Sequence, residues 1–155
     1  MVSSSLRAKV TDILDFKDSF EQYFNKDSIL RYYLFDLFIG GIDGLSKNFH
    51  LCSWDGQIFY CLPYDLDSCL GGTNTGYLRV PPSCEIGTLY DTDGTTILEE
   101  NHFNSWNSKL WSRVRSTFSV DLNNMYTTLR SNGLFTLENM LSYFERVWEV
   151  IPPKM

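Results

Sequence analysis

The chain has 155 residues and a net charge of −6, with an isoelectric point near 4.8. That acidity, with no run of Lys or Arg, argues against a nucleic-acid partner and against a membrane surface. The start, MVSSSLRAKVTDILDF, lacks the apolar core of a signal peptide, and no stretch reaches the roughly 18 apolar residues of a membrane span. A soluble protein made in the cytosol is expected, folded as a single domain over 1–155.

Residues 1–6 are Ser-rich and expected to fray. A short helix is expected over 6–14, and a better one over 17–24, where Phe20, Tyr23 and Phe24 share a face. Asn25-Lys26-Asp27 breaks that pattern, and Asp27 or Ser28 is expected to cap the next helix. This helix, 28–39, is apolar or aromatic at nine of its 12 positions, so it belongs at the centre of the fold. Gly40-Gly41 should end it.

Strands follow at 49–54 and 57–64, joined at Asp55-Gly56 as a two-residue hairpin. That register pairs Cys52 with Phe59 and His50 with Cys61, leaving the two thiols diagonal and ill placed for a disulfide. A zinc site from His50, Cys52, Cys61 and Cys69 lacks zinc-type ligand spacing, so these cysteines and Cys84 read as reduced thiols. Residues 68–105 read as a long irregular segment suited to docking on another chain. Within them Asp91, Asp93 and Gly94 read as a turn, since the other ligands of a calcium loop are missing.

The last third reads as three helices. One covers 107–118, with Leu110, Trp111, Val114 and Phe118 at helical spacing. The second is capped by Asp121 and ends at Asn132-Gly133. The third is capped by Thr136, and its Met140, Leu141, Phe144, Val147, Trp148 and Ile151 are expected in the core. The expected fold class is α+β, mostly helical, with a β-hairpin packed beside a central buried helix.

The chemistry-bearing residues flank the first hairpin. Asp43, Lys47 and Asn48 precede it, and Asp65 and Asp67 follow it. The hairpin returns the chain to its own start, so Asp43, Asn48 and Asp65 should share one cleft. Phosphoryl transfer needs a carboxylate to accept the hydroxyl proton, and an amide oxygen plus carboxylates to hold magnesium. Asp43 stands five positions before Asn48, and Asn48, Asp65 and Asp67 carry oxygen atoms of the kind magnesium prefers. In the plainer reading Asp43-Gly44 is a turn, Asn48 caps a strand end, and Asp65 and Asp67 bond local amides.

DGLSKN, a Trp-containing hairpin and DLDSCLGG together resemble the CotH-type atypical kinases over about residues 24–72. The resemblance implies a kinase C-lobe-like fold, Asp43 as base, and magnesium (manganese as its surrogate) on Asn48 and Asp65. The chain departs from the kinase pattern. It has no Gly-rich loop, no strand Lys with a helical Glu partner, and Gly41-Ile42 where His-Arg would stand; residues 1–27 are also short for a nucleotide lobe.

YFNKDSILRYYLFDLFIGGIDGLSKNFHLCSWDG, PYDLDSCLGG, NTGYLRVPPS, NSKLWSRV and YTTLRSNG also resemble segments of tail-associated structural proteins of gut-bacterial phages. That resemblance implies a virion protein assembled in the host cytoplasm, with other virion chains or copies of itself as partners. The expectation is a mostly non-catalytic structural or interaction module that retains an acidic metal site. The alternative is a cytoplasmic, magnesium-dependent CotH-like protein kinase, or its C-lobe fragment, using ATP.

Overall fold

Phe16, Phe20 and Phe24 recur every fourth residue, a spacing that stacks side chains along one helical face. The computed structural model describes residues 13–41, 44–45, 47–72, 88–90, 97–100 and 109–150. In it the three rings are buried and form a ladder, with centroids 5.1 Å and then 5.0 Å apart. Helix α1 is Ile13–Phe20, so it ends four residues before the expected boundary at Phe24. The cause is tertiary. Phe59 donates its N–H to Tyr23 O at 2.7 Å, and Asn25 donates to Phe59 O at 2.9 Å. That bridge takes the backbone groups another helical turn would have used. Most of the helix expected over 6–14 lies outside the described residues.

Helix α2 is Lys26–Ile39. Its N-cap is Asn25, whose side chain accepts from Ser28 N at 2.9 Å. Asp27 and Ser28, the expected caps, are engaged elsewhere. Asp27 pairs with Arg31 at 2.6 Å on the surface, and the Ser28 hydroxyl is turned to the backbone of Cys61. Ile29, Leu30, Tyr32, Tyr33, Leu34 and Ile39 are buried, as an all-round apolar helix requires. Gly40 closes the helix at φ 61°, a left-handed value that favours glycine.

Strands β1 (Phe49–Cys52) and β2 (Tyr60–Pro63) form an antiparallel pair. The register is one residue off the sequence expectation: Cys52 lies opposite Tyr60, and Leu51 opposite Cys61. Asp55 explains the slip. Its carboxylate accepts from Gln57 N at 2.8 Å and Ile58 N at 2.9 Å, removing both amides from the ladder. A one-residue slip exchanges the faces of a strand. Cys61 therefore turns inward and is buried, while Cys52 shares the opposite face with His50. The hairpin lies against α2. Cys61 N donates to Ser28 Oγ at 3.1 Å, and Ser28 Oγ donates to Cys61 O at 3.4 Å.

Within the segment expected to be irregular, β3 (Thr88–Tyr90) and β4 (Ile97–Glu100) make a second antiparallel pair. These runs are short, and the turn-rich sequence around them conceals their β-branched and aromatic character. The proposed turn at Asp91, Asp93 and Gly94 lies outside the described residues, as does Cys84. Helix α3 (Lys109–Thr117) buries Trp111 and Val114. Trp111 packs on Tyr32, Tyr33 and Phe49, with centroids 5.9, 6.0 and 5.5 Å away. Phe118 joins the phenylalanine ladder, 4.9 Å from Phe20. The architecture is α+β.

The chain divides into two compact units, residues 1–119 and 120–155. Helix α4 (Ser119–Ser131) starts before Asp121, which sits in its first turn, where a carboxylate meets the positive end of the helix dipole. Helix α5 (Leu137–Val150) is capped by Thr136, which accepts from Asn139 N at 3.3 Å. The stripe expected in the core is not buried: Leu141, Phe144, Val147 and Trp148 are all exposed, Trp148 at 79%. Helical spacing tells which side chains share a face; it does not say what covers that face. Ile151 lies outside the described residues. No helix among the described residues is long and apolar enough to cross a membrane.

Candidate functional site: the base of the first hairpin

Two polar side chains of α2, Tyr32 and Asp36, stand one turn apart and are both buried. The Tyr32 hydroxyl donates to Gly44 O at 2.7 Å and contacts Asn48 O at 3.2 Å. The Asp36 carboxylate, 0% exposed, occupies the room that a Cβ would need at Gly41 and at Gly44. Gly41 N also donates to Asp36 O at 3.0 Å. The helix therefore holds the chain that leaves it at several points before β1 begins.

Asn48 is buried, and its side-chain Nδ2 donates to Asp65 O at 3.0 Å. Tyr64 N donates to Asn48 O at 3.2 Å, adding a backbone bond beside the first. Asp65 takes a left-handed φ of 53°, uncommon for a residue with a side chain but tolerated by Asp. Asp65 and Asp67 are exposed, and Asp67 Oδ1 accepts from Ser68 Oγ at 3.2 Å. Leu70 N donates to Ile39 O at 2.6 Å, so the segment after β2 is tied back to the end of α2.

The structure thus brings Asn48 and Asp65 together at the open end of the hairpin, with Asp67 two residues further along. Asp43 lies outside the described residues. The Asn48–Asp65 bond uses the amide nitrogen, and Oδ1 is the atom of Asn48 suited to a cation. An amide oxygen and two carboxylates are the oxygen donors magnesium prefers. Among the described residues, no group of three or more His, Cys, Asp or Glu is placed to hold a metal ion. The one-residue register shift separates Cys61 from His50 and Cys52 across the ribbon, and Cys52, Cys61 and Cys69 are free thiols.

The interior around the site favours neutral groups. Burial pushes the Tyr32 hydroxyl up, and the Asp36 carboxylate adds to the rise, so Tyr32 stays a donor. Burial, then Asp36, then Cys52 push the Cys61 thiol up to about 12. Cys69 is raised by burial, then by Asp36 and Asp67.

Sequence reasoning missed Tyr32 and Asp36. Tyr32 falls among the apolar and aromatic positions of 28–39, and Asp36 belongs to no motif there. The available signal was an acid inside a mostly apolar helix, followed by glycines five and eight positions later.

No curated protein and no solved structure matches the chain significantly. The family described as CotH kinase protein matches it over residues 3–155. With nearly the whole chain inside that match, and a loop and hairpin that set Asn48 beside Asp65, this protein belongs to the CotH kinase family.

Proposed function

We propose that the chain is a CotH-family domain that keeps the cation-binding half of a kinase-like site and serves as a binding module of a larger assembly. The observation that carries this is the bond from Asn48 to Asp65 O at 3.0 Å, which joins the loop before the hairpin to the segment after it. On this reading Asn48 Oδ1 and the carboxylates of Asp65 and Asp67 hold magnesium. A bound magnesium would neutralise charge on a phosphate group. Asp43 takes the base position through the family motif. Tyr32 fixes the backbone at Gly44 and Asn48, and Asn48 fixes Asp65.

The module reading, as opposed to a self-sufficient kinase, draws on sequence. These 155 residues carry no Gly-rich loop to cover phosphates and no strand Lys with a helical Glu partner. It also draws on exposed apolar side chains beside the site. Tyr64, Leu66 and Leu70 flank the two aspartates, all three exposed. The likeness to tail-associated phage proteins supports placing the module in a virion, assembled in the host cytoplasm. Its partners are then other virion chains or copies of itself.

Titration calorimetry with manganese, with and without ATP, tests the reading. Manganese should bind, Asp65→Ala should abolish the binding, and ATP should add little. Absence of manganese binding would reduce the carboxylates to turn residues. Family membership favours a second reading, a magnesium-dependent protein kinase. Tight ATP binding that needs both metal and Asp65 would establish that reading in place of the first.

A further inference from the structure

A carboxylate in the middle of a nearly all-apolar helix is costly to bury, and an apolar residue of similar size would suit the core better. Asp36 is nonetheless 0% exposed. Its surroundings point to a purpose. The chain leaving α2 passes its carboxylate at Gly41 and again at Gly44, so closely that no side chain fits at either position. One turn earlier, Tyr32 binds Gly44 O at 2.7 Å and reaches Asn48 O at 3.2 Å. Both polar groups of this helical face are therefore directed at one loop, whose end residue, Asn48, reaches Asp65.

We propose that Asp36 is a positioning residue: its buried carboxylate holds the backbone at Gly41 and Gly44 in the path that lets Asn48 meet Asp65. The glycines at 41 and 44 are the other half of the device, because they let the backbone close over the acid. After burial, the acid is the next cause that keeps the Tyr32 hydroxyl and the Cys61 thiol protonated. The consequence for a bound cation rests on the function proposed above; the consequence for the loop does not.

The test uses Asp36→Asn in the full chain, which keeps the side-chain shape and replaces the acid by a neutral amide. Two readouts are taken: amide hydrogen exchange and manganese affinity. Exchange at Gly41, Gly44, Leu45, Lys47 and Asn48 should quicken by about tenfold or more, while Leu30 and Tyr33 in the same helix stay within about threefold. Manganese affinity should fall by about tenfold in the same variant. If Asp36→Asn does not melt cooperatively, Gly44→Ala replaces it. The added methyl displaces the carboxylate without removing it, and the same loop amides should quicken. Loop exchange unchanged in a cooperatively melting variant overturns the proposal. If the wild type binds no manganese, the cation site falls, and loop exchange still decides the role of Asp36. If manganese binds and loop exchange does not respond, Asp36 is not the positioning residue and the cation site stands.

Discussion

The side-chain amide of Asn48 donates to the backbone carbonyl of Asp65 at 3.0 Å, across 17 residues of chain. The two residues are held at the base of a hairpin whose strands pair from Phe49↔Pro63 to Cys52↔Tyr60. Asn48→Ala leaves the Asp65 carbonyl without this donor, at a cost of about 1–2 kcal/mol. Asn48→Asp costs more, because it sets a carboxylate against a carbonyl. Urea denaturation should rank wild type above Asn48→Ala, and Asn48→Ala above Asn48→Asp. Equal midpoints for all three would show that water replaces the bond without loss.

Tyr32→Phe removes one hydroxyl and leaves the ring against Trp111 and Phe49. The lost bonds to Gly44 O and Asn48 O should lower stability by about 1–2 kcal/mol. Near-UV circular dichroism should keep its aromatic signature, because the packing is untouched. Loss of that signature would mean that the hydroxyl holds the ring cluster together, beyond tethering the loop.

Two aromatic residues that sequence alone treats alike should behave differently. Phe20 is 2% exposed among Phe16, Phe24 and Phe118, and Phe20→Ala should cost about 3–5 kcal/mol through the cavity it leaves. Trp148 is exposed, and Trp148→Ala should change stability by less than about 0.5 kcal/mol. A large loss of stability in the isolated protein on Trp148→Ala would mean that α5 is covered in solution.

Cys61 should resist alkylation. Burial raises its pKa from 9.0 to about 12, so at pH 8 the thiolate is only about one part in 10⁴. Iodoacetamide should label it far more slowly in the native protein than in urea. The sign of the linkage follows from the raised pKa. Its stabilising contribution is complete below pH 9 and is lost as pH rises from there through about 12. Cys61→Ala should show a shallower fall in stability over that alkaline range. Rapid native labelling at pH 8 would place the thiol at the surface.

Local chemistry was legible in the residues themselves. The apolar positions around α2 announced a central helix, Gly40 announced its end, and Thr136 announced the start of α5, because each depends on neighbours within one helical turn. The order of loop, hairpin and loop announced that Asn48 and Asp65 would lie close, because a hairpin returns the chain to its own start. Other features needed the folded chain. The hairpin register turned on the Asp55 carboxylate capturing two amides, a choice between closely matched turns that strand pattern does not distinguish. The N-cap moved to Asn25 because Phe59, 34 positions later, pinned the backbone there. The stripe on α5 was periodic whether or not anything covered it. Asp36 was one acid among 19 Asp and Glu until the backbone at Gly41 and Gly44 closed over it. Sequence determines what a side chain can do within its own turn of helix or strand. Burial, register and the meeting of distant polar groups are set by which surfaces come together, and only the tertiary structure decides that.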